Sequence, residues 1–154
     1  MSPTPLPLQL VVQLEPSRLK VRLLNGTAQA VRVWDPANAW GGAAWSVVIT
    51  AVGARHGHEL RPNKRPYTVN LPRFIEIVAH GTEEILLEPG GLAWTFGEDL
   101  SALPESALDV RVVLDIPASK EATAQRVATG RSESPDLRSQ PPHTWLFHAA
   151  GASR

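Results

Sequence analysis

The chain has no cysteine among its 154 residues. This absence excludes disulfide bonds, thiolate nucleophiles and cysteine-based zinc sites. It also fits a reducing compartment, so we expect a cytoplasmic protein, with an exported protein whose signal peptide has been removed as the alternative. Residues 1–8 lack the basic and apolar regions of a signal peptide, which favours the first expectation.

Long apolar runs and net charge are missing as well. No stretch approaches the roughly 20 apolar residues that a membrane helix needs, so we expect no membrane partner. The formal net charge is zero, which removes any general attraction to nucleic acid or anionic lipid. Recognition-helix, RNP and zinc-finger patterns are absent too, and we expect no nucleic-acid partner.

Charge is nevertheless unevenly distributed along the chain. Residues 1–77 hold nine Lys and Arg against four Asp and Glu, whereas residues 78–154 hold six against eleven. The asymmetry predicts two oppositely charged faces, either of which a protein partner could recognise.

Catalytic signatures are also lacking. The sequence has no Gly-x-Ser-x-Gly elbow, no Walker loop and no Gly-x-Gly-x-x-Gly after a strand. We therefore expect a non-enzymatic protein without a cofactor.

What the sequence does contain is apolar alternation with a period of two. One such run is Leu8–Glu15, in which Leu8, Leu10, Val12 and Leu14 alternate with Gln9, Val11, Gln13 and Glu15. The same pattern recurs in three further runs, namely Leu19–Leu23, Val31–Trp34 and Leu108–Ile116. Such alternation is typical of half-buried antiparallel strands. Together with runs at Trp45–Val52, Phe74–Val78, Glu83–Glu88 and Leu92–Phe96, it predicts an all-β, immunoglobulin-like antiparallel β-sandwich of seven to nine strands.

The sequence predicts few and short helices. Fourteen prolines and eleven glycines discourage long helices. Short helices are predicted at Glu98–Leu103 and at Lys120–Arg126, the second with Ser119 as its N-cap. Asn25-Gly26 predicts a tight turn, which could link neighbours in one sheet or cross between sheets.

The C-terminal part differs from the rest of the chain. We expect a β-sandwich domain over residues 1–132 and a proline-rich tail over residues 133–154. The tail carries an isolated apolar patch, Trp145-Leu146-Phe147, which either docks on the sandwich or contacts a partner by strand addition. A homodimer is a further expectation, through this patch or through an edge strand at residues 127–132.

Three of the five tryptophans lie in one segment, Trp34 to Trp45. Trp34 and Trp45 adjoin predicted strands, and at least one of them should fill the core. Trp40 lies on a Pro- and Gly-containing loop, where it could anchor a protein or stack on a sugar ring. The predicted binding residues are Trp40, Asp35, Asn38 and Trp34, with core packing as the alternative for the tryptophans.

One candidate metal site exists, at His56, His58 and Glu59. Two imidazoles and a carboxylate are plausible ligands for a transition metal, and His56 and His58 share a face if they lie on a strand. The surrounding cations, Arg55, Arg61, Lys64 and Arg65, oppose a divalent ion. The alternative interpretation is a solvated basic loop.

Several of these elements resemble the intracellular proteinase inhibitors of the BsuPI type. The similar features are a strand ending at Asn25, the strand Ala30-Val31-Arg32-Val33, the Trp45–Val52 strand and the turn His80-Gly81-Thr82. Ser106-Ala107-Leu108 departs from the family's Gly-x-Tyr pattern, and the segment Glu88–Glu105 is an insertion. The resemblance implies an immunoglobulin-like fold and, as a function, proteinase inhibition.

These observations predict a binding or interaction module for a protein partner. The alternatives are a proteinase inhibitor, a carbohydrate-binding module that uses Trp40, and a metal-dependent enzyme that uses His56, His58 and Glu59.

Overall fold

The structure is a computed structural model that describes residues 5–36, 44–62, 73–89, 94–96 and 105–146. Over these ranges strands are the main secondary structure, and the described helical segments, at residues 120–125 and 144–146, are short. The elements are, in order, β1 (Gln9–Glu15), β2 (Arg18–Leu24), β3 (Val31–Trp34), β4 (Trp45–Ala51), β5 (His58–Pro62), β6 (Phe74–Ile77), β7 (Thr82–Leu87), β8 (Trp94–Phe96), β9 (Leu108–Ile116), α1 (Lys120–Gln125), β10 (Gly130–Glu133) and β11 (Leu137–Ser139). The predicted all-β class is confirmed.

The strands form three antiparallel sheets. One sheet has the order β1-β2-β7, a second has the order β10-β9-β4-β5-β8 with β11 also paired to β9, and a third pairs β3 with β6. Within the described ranges, no helix is long and apolar enough to cross a bilayer.

Alternation along β2 separates a core face from a solvent face. On β2, Leu19, Val21 and Leu23 are fully buried, whereas Arg22 between them is exposed. Val47 on β4 and Val112 on β9 are equally buried and belong to the same core as the β2 residues. The sheets therefore pack face to face over one apolar core, as the period of two predicts.

A bend connects the first and third sheets. β2 pairs with β7 up to Leu24 and Thr82, and β3 pairs with β6 from Val31 and Ile77. Six residues of one chain segment, 25–30, thus lie opposite four residues of the other, 78–81. The Asn25-Gly26 turn consequently crosses between sheets instead of closing a hairpin, and Gly26 does not adopt a positive φ.

A second irregularity separates β10 from β11. Glu133 pairs with Val113 and Leu137 with Val110, so the register slips by one residue between them. Ser134 lies where the register changes. Its N–H donates to the Val112 carbonyl at 2.9 Å, and its hydroxyl accepts from the Val112 N–H at 2.8 Å. Three pairs of strands can each be counted as one interrupted strand, namely β2 with β3, β6 with β7 and β10 with β11. The eleven described strands then reduce to eight, within the predicted range of seven to nine.

The expected division at residue 132 falls inside β10. Residues 133–146 continue along β9 as β10 and β11 and then pack against the core through Trp145 and Leu146. In the described part of the chain, this stretch is therefore continuous with the sandwich.

The N-terminal segment, residues 5–8, covers the edge of β10. Pro5 forms a parallel bridge with Arg131, and the Leu6 N–H donates to the Arg131 carbonyl at 3.2 Å. The Ser132 hydroxyl lies 3.1 Å from the carbonyl oxygen of Leu8. The edge strand predicted for a homodimer, at residues 127–132, is therefore already contacted by the N-terminal segment at Arg131 and Ser132.

Of the two predicted helices, one is described. α1 begins after Ser119, whose hydroxyl accepts from the Ala122 N–H at 3.0 Å, so the predicted N-cap is confirmed. The other prediction, Glu98–Leu103, lies outside the described residues. α1 ends at Arg126, which has a left-handed backbone with φ 57°.

Candidate functional site

The tryptophan segment is described only at its two ends. Trp34 is 3% exposed and Trp45 is 1% exposed, and both belong to the core. The Asp35 N–H donates to the Arg73 carbonyl at 2.8 Å, which extends the β3–β6 pairing. The remaining predicted binding residues, Trp40 and Asn38, lie outside the described residues.

The histidine cluster lies on and before β5. His58 pairs with Ile49 of β4 and is half-buried, whereas His56 is exposed. Neighbouring residues of a strand point to opposite faces, so Glu59 points away from His58, and its carboxylate accepts from Arg61 Nε at 2.8 Å. Across the described ranges, no three His, Asp or Glu side chains are grouped so that they could hold a metal ion.

The C-terminal patch is part of this chain's own core. Trp145 and Leu146 are 2% and 1% exposed, so neither side chain can reach a partner in this conformation. The third residue of the patch, Phe147, lies outside the described residues.

A buried hydrogen-bond network holds this C-terminal segment. Trp145 Nε1 donates to Ser139 Oγ at 2.8 Å, and Ser139 Oγ lies 2.6 Å from His143 Nδ1. His143 Nε2 lies 2.5 Å from the Ser106 carbonyl, which can only accept, so Nε2 carries the proton. In the neutral imidazole, Nδ1 then accepts from the Ser139 hydroxyl.

This pair has the composition of a nucleophile and its base, but it cannot act as one. Ser139 is 2% exposed and His143 is 1% exposed, so no substrate can approach the hydroxyl. The network is therefore structural: it joins the end of β11 to the segment that precedes β9.

Two shallow grooves flank the bend segment, residues 25–30. The first, which we call the β3 groove, has a volume of about 520 Å³ and is lined by Pro7, residues 27–32, Arg126 and Ala128. The second, the β2 groove, has a volume of about 470 Å³ and is lined by residues 7–9, 24–27 and 80–82. Pro7 and Thr27 line both, so the grooves adjoin each other.

Asn25 fixes the wall between the grooves. Its side-chain amide nitrogen donates to the carbonyls of Gln29, Ile77 and Val78, at 2.8, 3.0 and 3.1 Å. Its amide oxygen accepts from both the N–H and the hydroxyl of Thr27. Asn25 is 2% exposed and both polar atoms of its side chain are paired, so the segment has a defined shape before any ligand binds.

The β3 groove exposes an unfinished strand edge. The odd-numbered residues of β3 face β6, as the bond from Asp35 to Arg73 shows, so the even-numbered residues face outward. The carbonyl of Arg32 faces outward and accepts from the Ala128 N–H at 2.9 Å. Ala30 has the same orientation and is exposed, and its N–H and C=O make no hydrogen bond within the described part of the chain.

Arg32 closes one end of this groove. Its Nε lies 3.0 Å from Glu76 Oε1, its Nη1 donates to the Gln125 carbonyl at 2.9 Å, and its guanidinium carbon lies 4.2 Å from the centre of the Phe74 ring. The same side chain thus joins β3, β6 and the end of α1, and the position of α1 beside the groove depends on it.

Sequence patterns do not reveal this groove. Its walls come from three separated parts of the chain, and Ala28, Ala30 and Ala128 have no functional groups in their side chains. The only local signal is Asn25, which predicts a turn but not the groove beside it.

Comparison of this chain with protein-family models, curated protein sequences and solved structures found no match.

Proposed function

We propose that this chain is a non-enzymatic, immunoglobulin-like module that binds a protein partner through the β3 groove. The observation that carries the proposal is the open strand edge at Ala30, whose N–H and C=O face a preformed groove and have no partner among the described residues. An exposed edge of this kind is a template for pairing with another chain unless it is covered.

The chemistry of the groove favours a polypeptide over a substrate. Its described lining consists of small or apolar residues and of the polar Thr27 and Gln29, with Arg32 and Arg126 as the charged groups. No carboxylate, imidazole or hydroxyl pair of the described lining is arranged for proton transfer or nucleophilic attack. Main-chain hydrogen bonds to an added strand need none of these groups.

Site-specific photo-cross-linking tests the proposal. Benzoylphenylalanine placed at position 28, beside the open edge, should capture a discrete partner in the native host. The same probe at position 136 is the control, because Asp136 is exposed and does not line the groove. Identical products from the two positions, or none from position 28, would contradict the proposal.

A blocking variant makes this test specific to the groove. Ala28→Trp fills the groove from an exposed position and should abolish capture of the partner from a cross-linking site beside it, such as position 29, which is exposed and lines the groove. Ala124→Trp places the same bulk on an exposed position of α1 outside the groove lining and should leave capture unchanged. Thermal unfolding of both variants checks that each is folded.

Proteinase inhibition is a second candidate, and the β4–β5 hairpin favours it. Residues 52–57 are all exposed, and the base of the hairpin is tied to the segment before β9 by the bond from the Val52 N–H to the Ala107 carbonyl at 3.0 Å. An inhibitor presents an exposed loop of this kind to a protease. Inhibition assays against proteases of each mechanistic class, with Arg55→Ala as the loop variant and Lys120→Ala as the control, test this candidate.

A further inference from the structure

We infer that the ligand of the β3 groove is an extended peptide segment of a partner protein, which pairs with the backbone of Ala30 and places a carboxylate against Arg126. This inference rests on the proposed function and specifies the ligand of the same groove.

Backbone geometry determines how the segment would bind. The outward-facing carbonyl of Arg32 is already occupied by the Ala128 N–H, so the next outward-facing residue, Ala30, is the first whose N–H and C=O are both open in the described part of the chain. A peptide strand would accept from the Ala30 N–H and donate to its C=O, which gives two main-chain hydrogen bonds. The methyl side chains of Ala28 and Ala30 let a second backbone approach closely.

Charge determines what the segment would carry. Arg32 is engaged by Glu76, by the Gln125 carbonyl and by the Phe74 ring, so its charge is largely balanced. Arg126 also lines the groove and is exposed, and its guanidinium forms no ion pair or hydrogen bond in the described ranges. None of the described lining residues is acidic.

A guanidinium that has no partner in the described part of the chain, and that lies beside an open strand edge, selects for a carboxylate. Arginine can bind a carboxylate through two parallel hydrogen bonds, which fixes orientation as well as adding affinity. Nucleic acid fits this groove poorly, because useful affinity for a phosphate backbone needs several cations and the groove offers one that is free.

The backbone of Arg126 is also anchored. Its backbone is left-handed at the end of α1, and its N–H bonds to the carbonyls of Ala122 and Thr123. Arg32 in turn binds the Gln125 carbonyl, one residue earlier. The guanidinium therefore extends from an anchored backbone, and a ligand carboxylate would not have to order a flexible loop.

A hexapeptide array tests the inference. Peptides of alternating β-branched residues are made in three matched versions. The first version ends in Asp, the second ends in Asn with an amidated terminus, and the third ends in Asp with its central amides N-methylated. We expect the first version to bind the wild-type chain, the second to bind about tenfold more weakly, as the loss of one charge-assisted pair implies, and the third not to bind.

Protein variants assign the charge effect to Arg126. Arg126→Gln should weaken binding of the Asp-ending peptide by the same factor and leave the amidated peptide unchanged. Lys120→Gln, an exposed cation outside the groove lining, should affect neither peptide. Equal weakening of both peptides by Arg126→Gln, or undiminished binding of the N-methylated version, would overturn the inference.

The array also separates this inference from the proposed function. If peptides bind and Ala28→Trp blocks them, but neither charge nor N-methylation matters, the groove binds a partner in another manner and only the inference fails. Two results would overturn the proposed function as well. In the first, Ala28→Trp leaves the binding of every peptide unchanged. In the second, no peptide binds and cross-linking from position 28 captures nothing. A concentration-dependent dimer that Ala28→Trp disrupts would identify the ligand as a second copy and would overturn the inference.

Discussion

The side-chain amide of Asn25 donates a hydrogen bond to the backbone carbonyl of Ile77, which lies 52 residues away in the sequence and 3.0 Å away in space. This bond joins the two segments of the bend at the point where six residues lie opposite four. The side chain replaces main-chain pairing that the mismatch would otherwise leave unmade. The shape of both grooves depends on it.

Replacing Asn25 should therefore destabilise the fold. Asn25→Ala removes a side-chain donor from the carbonyls of Gln29, Ile77 and Val78. The Gln29 carbonyl keeps the Thr27 hydroxyl as a donor and the Val78 carbonyl keeps the Gly81 N–H, so we expect a loss of about 2 kcal/mol in the free energy of unfolding. Asn25→Asp should lose at least as much, because it sets a carboxylate against these carbonyls. Urea unfolding monitored by circular dichroism measures the change.

The neighbouring residue provides the control for this prediction. A Cβ atom added at Gly26 meets nothing within 4 Å, and its φ is not positive. Gly26→Ala should therefore change the free energy of unfolding by no more than about 0.5 kcal/mol. A comparable loss in Gly26→Ala and Asn25→Ala would show that the bend, and not the amide, is sensitive to substitution.

Ser139→Ala should destabilise the C-terminal segment. The serine hydroxyl is the shared partner of Trp145 Nε1 and His143 Nδ1, so its removal takes one hydrogen-bond partner from each of two buried side chains. We expect a loss of about 2–4 kcal/mol, and partial recovery in Ser139→Thr, which keeps a hydroxyl. Thr144→Ala, at an exposed position of the same segment, is the control and should be nearly neutral. Equal stability of the Ser139→Ala variant and the wild type would contradict a structural role for this network.

The strand plan was predictable because one-sided burial leaves a period of two in the sequence. β1, β2 and β9 each alternate clearly between core and solvent, and the N-cap of α1 follows from the preference of Ser119 for that position. β5 and β11 were not predicted, because they are short and largely polar. For β11, the burial that defines it comes from Trp145 and Leu146, which return to the core only after the strand has ended.

The candidate groove could not be predicted for a different reason. Asn25 and Ser134 are buried polar residues at sheet irregularities, yet in the sequence each looks like an ordinary turn residue. The open edge at Ala30 lies in the bend, where the register changes by two residues between the β2–β7 and β3–β6 pairs. Pairing registers are set by long-range packing, and a single sequence does not record them.

Gly57→Ala should strain the β4–β5 hairpin. A Cβ atom at this position would lie 2.5 Å from Thr50 Oγ1 and 2.9 Å from the Ile49 carbonyl oxygen, both too close for contact. We expect a loss of about 1–3 kcal/mol, measured by thermal unfolding. The double variant with Thr50→Ala should recover only part of this loss, because the Ile49 carbonyl remains. Full recovery, or no loss in Gly57→Ala, would show that the hairpin relaxes freely.

The ion pair between Arg131 and Glu133 should make stability depend on pH. Arg131 Nε donates to Glu133 Oε2 at 2.8 Å, and this bond, aided by the charge of Arg111, lowers the pKa of Glu133 below its ordinary value of 4.5. A carboxyl whose pKa is lower in the folded state stabilises the fold above its unfolded pKa and loses that contribution as the pH falls through the folded value.

At pH 7, Glu133→Gln should therefore be less stable than the wild type, by less than about 1 kcal/mol because both side chains are about a third exposed and water screens them. The difference in the free energy of unfolding between Glu133→Gln and the wild type should shrink steadily below pH 4.5, and it should also shrink in 1 M salt. Glu105→Gln is the control and should show no such trend, because Glu105 is exposed and has no ion pair in the described chain. Urea unfolding at pH 7, 5 and 3 measures the difference, and a gap that widens on acidification would contradict the assigned pairing.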